Sequence, residues 1–162
     1  MTVMSQERIP VMVNINNREE LNTFLNKLTE DTEARWGLMK PQHMIEHLVK
    51  TLQHSNGKKE IAQKSTDEEA KQAKAGFIYT DVEMPMGLKS SLAGETPDPL
   101  QYADLDAAKQ QLNKELDDFY AYFNEHPTAL FIQPRLGKLN HQEWMILHNK
   151  HFTHHFKQFG LV

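Results

Sequence analysis

Four stretches of the chain bring apolar residues back at the three- and four-residue spacing of a helix, and no stretch alternates clearly as a strand would. Leu21, Phe24, Leu25 and Leu28 form the first stripe. Asn17 and Glu20 open it as a capping box, each side chain satisfying the other residue's free backbone N–H, and the pattern predicts a helix over 18–31. Pro41 suits the first position of a second helix, where its missing N–H costs nothing. Met44, Ile45, Leu48, Val49 and Leu52 are its apolar face and Asn56-Gly57 its end. The longest stripe, Leu105, Ala108, Leu112, Leu116, Phe119 and Phe123, begins behind Asp104 as N-cap and stops at His126-Pro127, because the residue before proline avoids the helical region. Asn140 and Glu143 form another capping box, opening a fourth helix that runs to about Gln158.

The connection between the second and third of these helices is long. Ser65 and Thr66 with Glu68 and Glu69 cap a short helix through about Lys74. The prolines after Met84 and around Asp98 exclude further helix, so 76–103 is expected to be mostly irregular. The segment before Asn16 is short and β-branched and reads as extended. The expectation is an all-α four-helix bundle, one domain over 1–162, with a long crossover between helices two and three.

A chain of 162 residues, 39% hydrophobic and 25% charged, is large enough for one self-sufficient core. It contains no cysteine, which excludes disulfide scaffolds, thiolate zinc fingers, iron–sulfur clusters and cysteine nucleophiles. A net charge of −4 gives no basic footprint for nucleic acid or an acidic membrane. No apolar run reaches bilayer length and the N-terminus lacks a secretory pattern, so a cytoplasmic location is expected. Histidine alone is out of line: there are 9, five of them between His141 and His155.

On the fourth helix Trp144, His148, His151, His155, Gln158 and Phe159 fall within one narrow arc. The face that should be most apolar therefore carries three imidazoles and an amide. Each buried polar group without a partner costs roughly 1–3 kcal/mol. A metal ion removes that cost, since neutral imidazole ligates zinc, nickel, copper or iron. His151 and His155, at i and i+4, can reach one ion from adjacent turns. On the second helix His47 lies nearest the core side, and one ligand from there would complete an open three-histidine site. His43 sits further round that helix and reads as a surface residue, and His54 as a surface or outer-layer one. A competing match is His43-Met-Ile-Glu46-His47, the inverted zinc-protease pattern, with Glu46 as general base and a ligand such as Glu125 from elsewhere. It leaves the fourth-helix cluster unexplained. No Glu-x-x-His occurs, which excludes the di-iron carboxylate bundle.

Trp36-Gly-Leu-Met-Lys-Pro-Gln-His-Met-Ile-Glu-His47-Leu, then Gly137-Lys-Leu-Asn-His-Gln-Glu-Trp144 and His151-Phe-Thr-His-His155-Phe-Lys-Gln-Phe-Gly160, resemble segments of the DinB/YfiT-like metalloenzymes, closest to a branch of undefined function. The resemblance implies a four-helix bundle with a long crossover and one divalent ion held by His47, His151 and His155. His154 matches a position that is not a ligand. Gln133-Pro134 departs from the His-Pro that the branch often shows, so the resemblance carries over no catalytic part at that position, while the implied metal ligands are untouched. Characterised relatives include thiol-dependent transferases and isomerases.

The functional expectation is thiol transfer or hydrolysis on a small molecule, such as a low-molecular-weight thiol, with zinc or nickel first and iron or manganese behind them. A homodimer is compatible with it. His148, Gln158 and Trp144 are candidates for the surroundings of the ion, core packing being the simpler role for Trp144. Glu46 projects away from His47 and should face solvent, while Arg135 and Lys138 near the start of the fourth helix are candidate anion contacts or plain solvated charges. The competing class is a non-enzymatic metal-binding or stress-response bundle, which a fourth, closing ligand such as His148 would favour.

Overall fold

The computed structural model describes residues 12–84 and 97–162. Its elements are α1 (Arg18–Lys27), α2 (Pro41–Gln53), α3 (Asp67–Phe77), α4 (Leu105–Glu125), β1 (Phe131–Gln133), β2 (Gly137–Leu139) and α5 (His141–Gln158). The four expected helices are α1, α2, α4 and α5, with α3 inside the crossover. Met44, Ile45, Leu48 and Leu52 of α2 meet Ala108, Leu112, Leu116 and Phe119 of α4 in the dry centre, and Trp144, Phe152 and Phe156 of α5 close it. Full burial of one such Leu or Phe stabilises by about 1.5–3 kcal/mol, so this stripe matching decides which helices pair. Residues 13–15 lie along α5: Val13 N–H donates to Thr153 Oγ1 at 2.8 Å and Ile15 N–H to Asn149 Oδ1 at 2.9 Å.

The caps explain where boundaries moved. Asn17 accepts from Glu20 N–H, yet no return bond comes from the Glu20 side chain, so the first capping box is half made. α1 ends at Lys27 rather than 31. Leu28 turns extended to bury its side chain, and Lys109 Nζ holds its carbonyl at 2.7 Å. The boxes at Thr66/Glu69 and Asn140/Glu143 are complete. α3 continues past Lys74 to Phe77, because Phe77 and Ile78 bury against the core and the buried Lys150 ammonium caps the helix end at the Phe77 and Thr80 carbonyls. Residues 79–84 and 97–103 hold no helix or strand, as expected; the rest of the predicted irregular stretch, and the start of the N-terminal segment, lie outside the described residues.

The all-α expectation needs one correction. The connector before α5 pairs as a small antiparallel hairpin, Phe131 opposite Leu139 and Gln133 opposite Gly137. Gln133 Oε1 closes its turn by accepting from Arg135 N–H at 2.8 Å and Leu136 N–H at 2.7 Å, and Gly137 supplies the positive φ of 77° that leads into β2. The Gln133 side chain is thus employed in the turn. Among the described residues no helix is long and apolar enough to cross a membrane.

Candidate metal centre

α2 and α5 bring three histidines together. His47 Nε2 lies 2.9 Å from His151 Nε2, and His155 Nε2 lies 3.1 Å from the same atom. One nitrogen from each ring fits within 4.8 Å of the other two, and among the described residues these are the ones grouped this way. His151 and His155 are buried and His47 is partly exposed. The α-helical i, i+4 spacing stacks the α5 pair, and Leu48 and Met44, buried on either side of His47, fix which way α2 faces.

The proton inventory is informative. Gln158 Nε2 donates to the Trp36 carbonyl at 2.9 Å, which orients the amide so that its Oε1 faces His155 Nδ1 at 2.7 Å. His155 must then carry its proton on Nδ1 and present a bare lone pair at Nε2. Gly37 makes room for this arrangement: a Cβ there would stand 2.9 Å from Gln158 Nε2, and its φ is +81°. Arg35 N–H donates to the Gln158 carbonyl at 2.7 Å, pinning the same turn to the end of α5.

With His155 Nε2 bare, His151 Nε2 cannot satisfy both neighbours. If it carries a proton, that proton goes to His155 and leaves His47 facing an N–H; if it is bare, it faces the lone pair of His155. Neutral imidazoles therefore make at most one hydrogen bond among the three. Burial first, and then the neighbouring imidazoles, hold His151 and His155 well below the ordinary value; burial and then Lys50 bring His47 down to about 4. All three are neutral at pH 7. A cation resolves the conflict: zinc–nitrogen bonds of about 2.0–2.1 Å at tetrahedral angles put ligand nitrogens roughly 3.3 Å apart, close to the separations seen here. The residues fit a divalent ion.

The other histidines are elsewhere. His43 Nδ1 accepts from Lys40 N–H at 3.1 Å, capping α2. His54 is buried, which corrects the surface reading, and donates from Nδ1 to the Lys59 carbonyl at 2.9 Å. His154 packs its ring on Trp36 at 5.5 Å. His148 is fully buried with Nε2 on Ser55 Oγ at 2.8 Å, so that nitrogen is committed away from the cluster. Trp144 is core: its indole N–H donates to the Phe131 carbonyl at 3.3 Å and its ring stacks on His148.

One charge assignment changes, and Arg135 and Lys138 stay exposed. Glu46 does not face open solvent; its carboxylate accepts from Gln101 N–H at 2.7 Å, Tyr102 N–H at 3.2 Å and Gln42 Nε2 at 2.9 Å. It straps the crossover beside His47, aided by Lys50–Asp98 at 3.1 Å, and with His43 at the cap the inverted-protease geometry is not formed. Arg135 lies over the Phe77 ring at 5.7 Å and Lys138 is in β2, ahead of α5; from His141 to His151 the helix rises about 15 Å, so neither reaches the cluster. Sequence reasoning missed Ser55 and the Trp36 carbonyl, and only the glycine after Trp36 gave any signal for the latter.

Comparison with family models, with curated proteins and with solved structures finds no match. The site stands on its own geometry.

Proposed function

We propose that this chain is a metal-dependent enzyme of the DinB/YfiT-like kind, holding one divalent ion on His47, His151 and His155 and acting on a small molecule by thiol transfer or hydrolysis. The observation that carries the reading is the convergence of three Nε2 atoms among which neutral imidazoles can make at most one hydrogen bond. When bound, such an ion supplies the Lewis acidity that makes water or a thiol a nucleophile at neutral pH. The chain's own residues do the rest. Gln158 fixes the His155 tautomer, burial keeps the imidazoles unprotonated, and Glu46 with Lys50 holds the crossover alongside the exposed edge of His47. A set of three protein donors leaves positions open, as catalytic sites do, whereas structural sites are usually closed by four. Zinc or nickel suits an all-imidazole set best, with iron or manganese behind them.

The test has two stages. Elemental analysis and calorimetric titration should give one ion per chain, lost on alanine substitution of any of the three histidines. Metal-loaded and metal-free protein are then compared on thiol–electrophile pairs and on ester and amide panels. Activity in the loaded form alone supports the proposal; tight binding with equal inertness across both panels replaces the enzyme with a metal-binding bundle.

A further inference from the structure

His148 is a buried titratable residue for which the metal reading so far has no use. It is completely enclosed, with Phe119 edge-on at 5.2 Å and Trp144 stacked at 5.4 Å. Ser55 Oγ donates its single proton to the Leu52 carbonyl at 2.9 Å, so it can only accept from His148, which must carry its proton on Nε2. His148 Nδ1 is then a bare lone pair, buried and without a protein partner. One turn further along α5, His151 Nδ1 is also buried without a partner. When His151 gives its Nε2 lone pair to an ion, that Nδ1 carries a proton. An orphan acceptor and an orphan donor therefore occupy neighbouring positions of one helix, and side chains three residues apart share a face. They do not meet directly, and a group joining them would have to donate to His148 and accept from His151.

We propose that His148 is a positioning residue of the metal centre, its Nδ1 receiving the His151 Nδ1 proton's hydrogen bond through one buried water, with Ser55 fixing the His148 tautomer that makes this work. This rests on His151 being a metal ligand. It gives His151 the counterpart of what Gln158 gives His155, an outer partner that fixes ring and tautomer. Removing such partners typically weakens metal affinity about 10–100-fold.

The experiment titrates the full-length protein and three variants with Co2+, following its visible absorption. In His148→Asn the new side-chain amide falls near the position of the imidazole Nδ1, whereas in His148→Gln it falls near Nε2. His148→Asn should keep affinity within a few-fold of the unaltered chain and preserve the absorption band. His148→Gln should lose about 10-fold or more and shift it. Ser55→Ala should fall between, because His148 is then free to take the other tautomer. Circular dichroism reports whether each variant folds. Independently of any variant, two-bond proton–nitrogen correlation on the unaltered Zn2+-loaded protein should find His148 protonated at Nε2. If the unaltered chain binds no Co2+, the metal reading itself fails and takes this proposal with it. If it binds, and the two His148 variants are equal, or His148 is protonated at Nδ1, only the role of His148 is overturned.

Discussion

The molecule buries two polar clusters against helix α2, and they are built on opposite principles. Near the C-terminal end of α2, Glu115 is wholly buried on α4 and accepts from Gln53 at 2.8 Å, Asn56 at 2.9 Å, Lys58 at 2.8 Å and Gln111 at 2.7 Å. Burial alone would raise its pKa, but those donors outweigh it and hold the carboxyl below its ordinary value. Every lone pair has a donor. At His47, three ring nitrogens converge and neutral imidazoles supply at most one hydrogen bond among them. A saturated cluster locks α2 to α4; an unsaturated one, kept in shape by Gln158 and the Trp36 carbonyl, is built to receive something. Satisfaction of hydrogen bonds, rather than burial or polarity, separates the cluster that locks helices from the one that could hold an ion.

The comparison breaks most visibly at Glu115. Glu115→Ala should cost about 2–3 kcal/mol in chemical denaturation, because it strands the Gln53, Asn56 and Gln111 amides while Lys58 keeps Asp118, and metal stoichiometry stays at one per folded chain. A stable variant would mean that the network does not lock the helices.

Substitution on the other side should do the reverse. His47→Ala, His151→Ala or His155→Ala should each weaken divalent-ion binding by at least about 100-fold, and metal-free stability should fall far less than for Glu115→Ala. Calorimetric titration measures the first and urea denaturation the second. Retained affinity in all three would remove the metal centre.

Gln158→Leu tests the support alone. It frees the His155 tautomer without touching a ligand, and should cost about 10-fold or more in affinity by the same titration.

Acid separates the clusters by range. The folded-state pKa of His47 is about 4 and that of His148 about 3, both lowered first by burial, against 6.5 for the free residue. The unfolded chain therefore takes up protons first, and the histidine contribution, intact above pH 6.5, drains away as pH falls towards 4 and 3. Glu115 is intact above about 4.5 and is lost only below that, as pH passes its lowered value. Metal-free stability measured from about pH 8 down should begin to fall below 6.5, and saturating metal should delay that fall; a curve flat to pH 4.5 would contradict it.

The smallest effects belong to His43→Ala and His54→Ala. Both should leave metal affinity within about two-fold, since His43 caps α2 and His54 holds the Lys59 carbonyl. His54→Ala should lower stability slightly, by about 1 kcal/mol for one lost hydrogen bond.

Helical periodicity makes much of this legible in the residues alone. Its fixed angle per residue says which side chains share a face, so the α5 histidine arc, the α2 and α4 stripes and the caps at Thr66, Asp104 and Asn140 can all be read from the letters. Three-residue strands carry too little alternation to be seen that way, and the hairpin before α5 escapes such a reading. The end of α1 is misplaced by it because Leu28 bonds and buries through distant partners, Lys109 among them. Glu46 reads as solvent-facing because the backbone it holds lies 55 residues onward. What sequence determined is the set of imidazoles and their face. That His151 Nε2 meets the other two ring nitrogens within hydrogen-bonding distance, that Gln158 and Trp36 assign the proton on one of them, and that Ser55 turns His148 away were decided by how α2 crosses α5. Such crossings are set by the packing of whole side chains over long sequence separations, to which no local pattern of residues is sensitive.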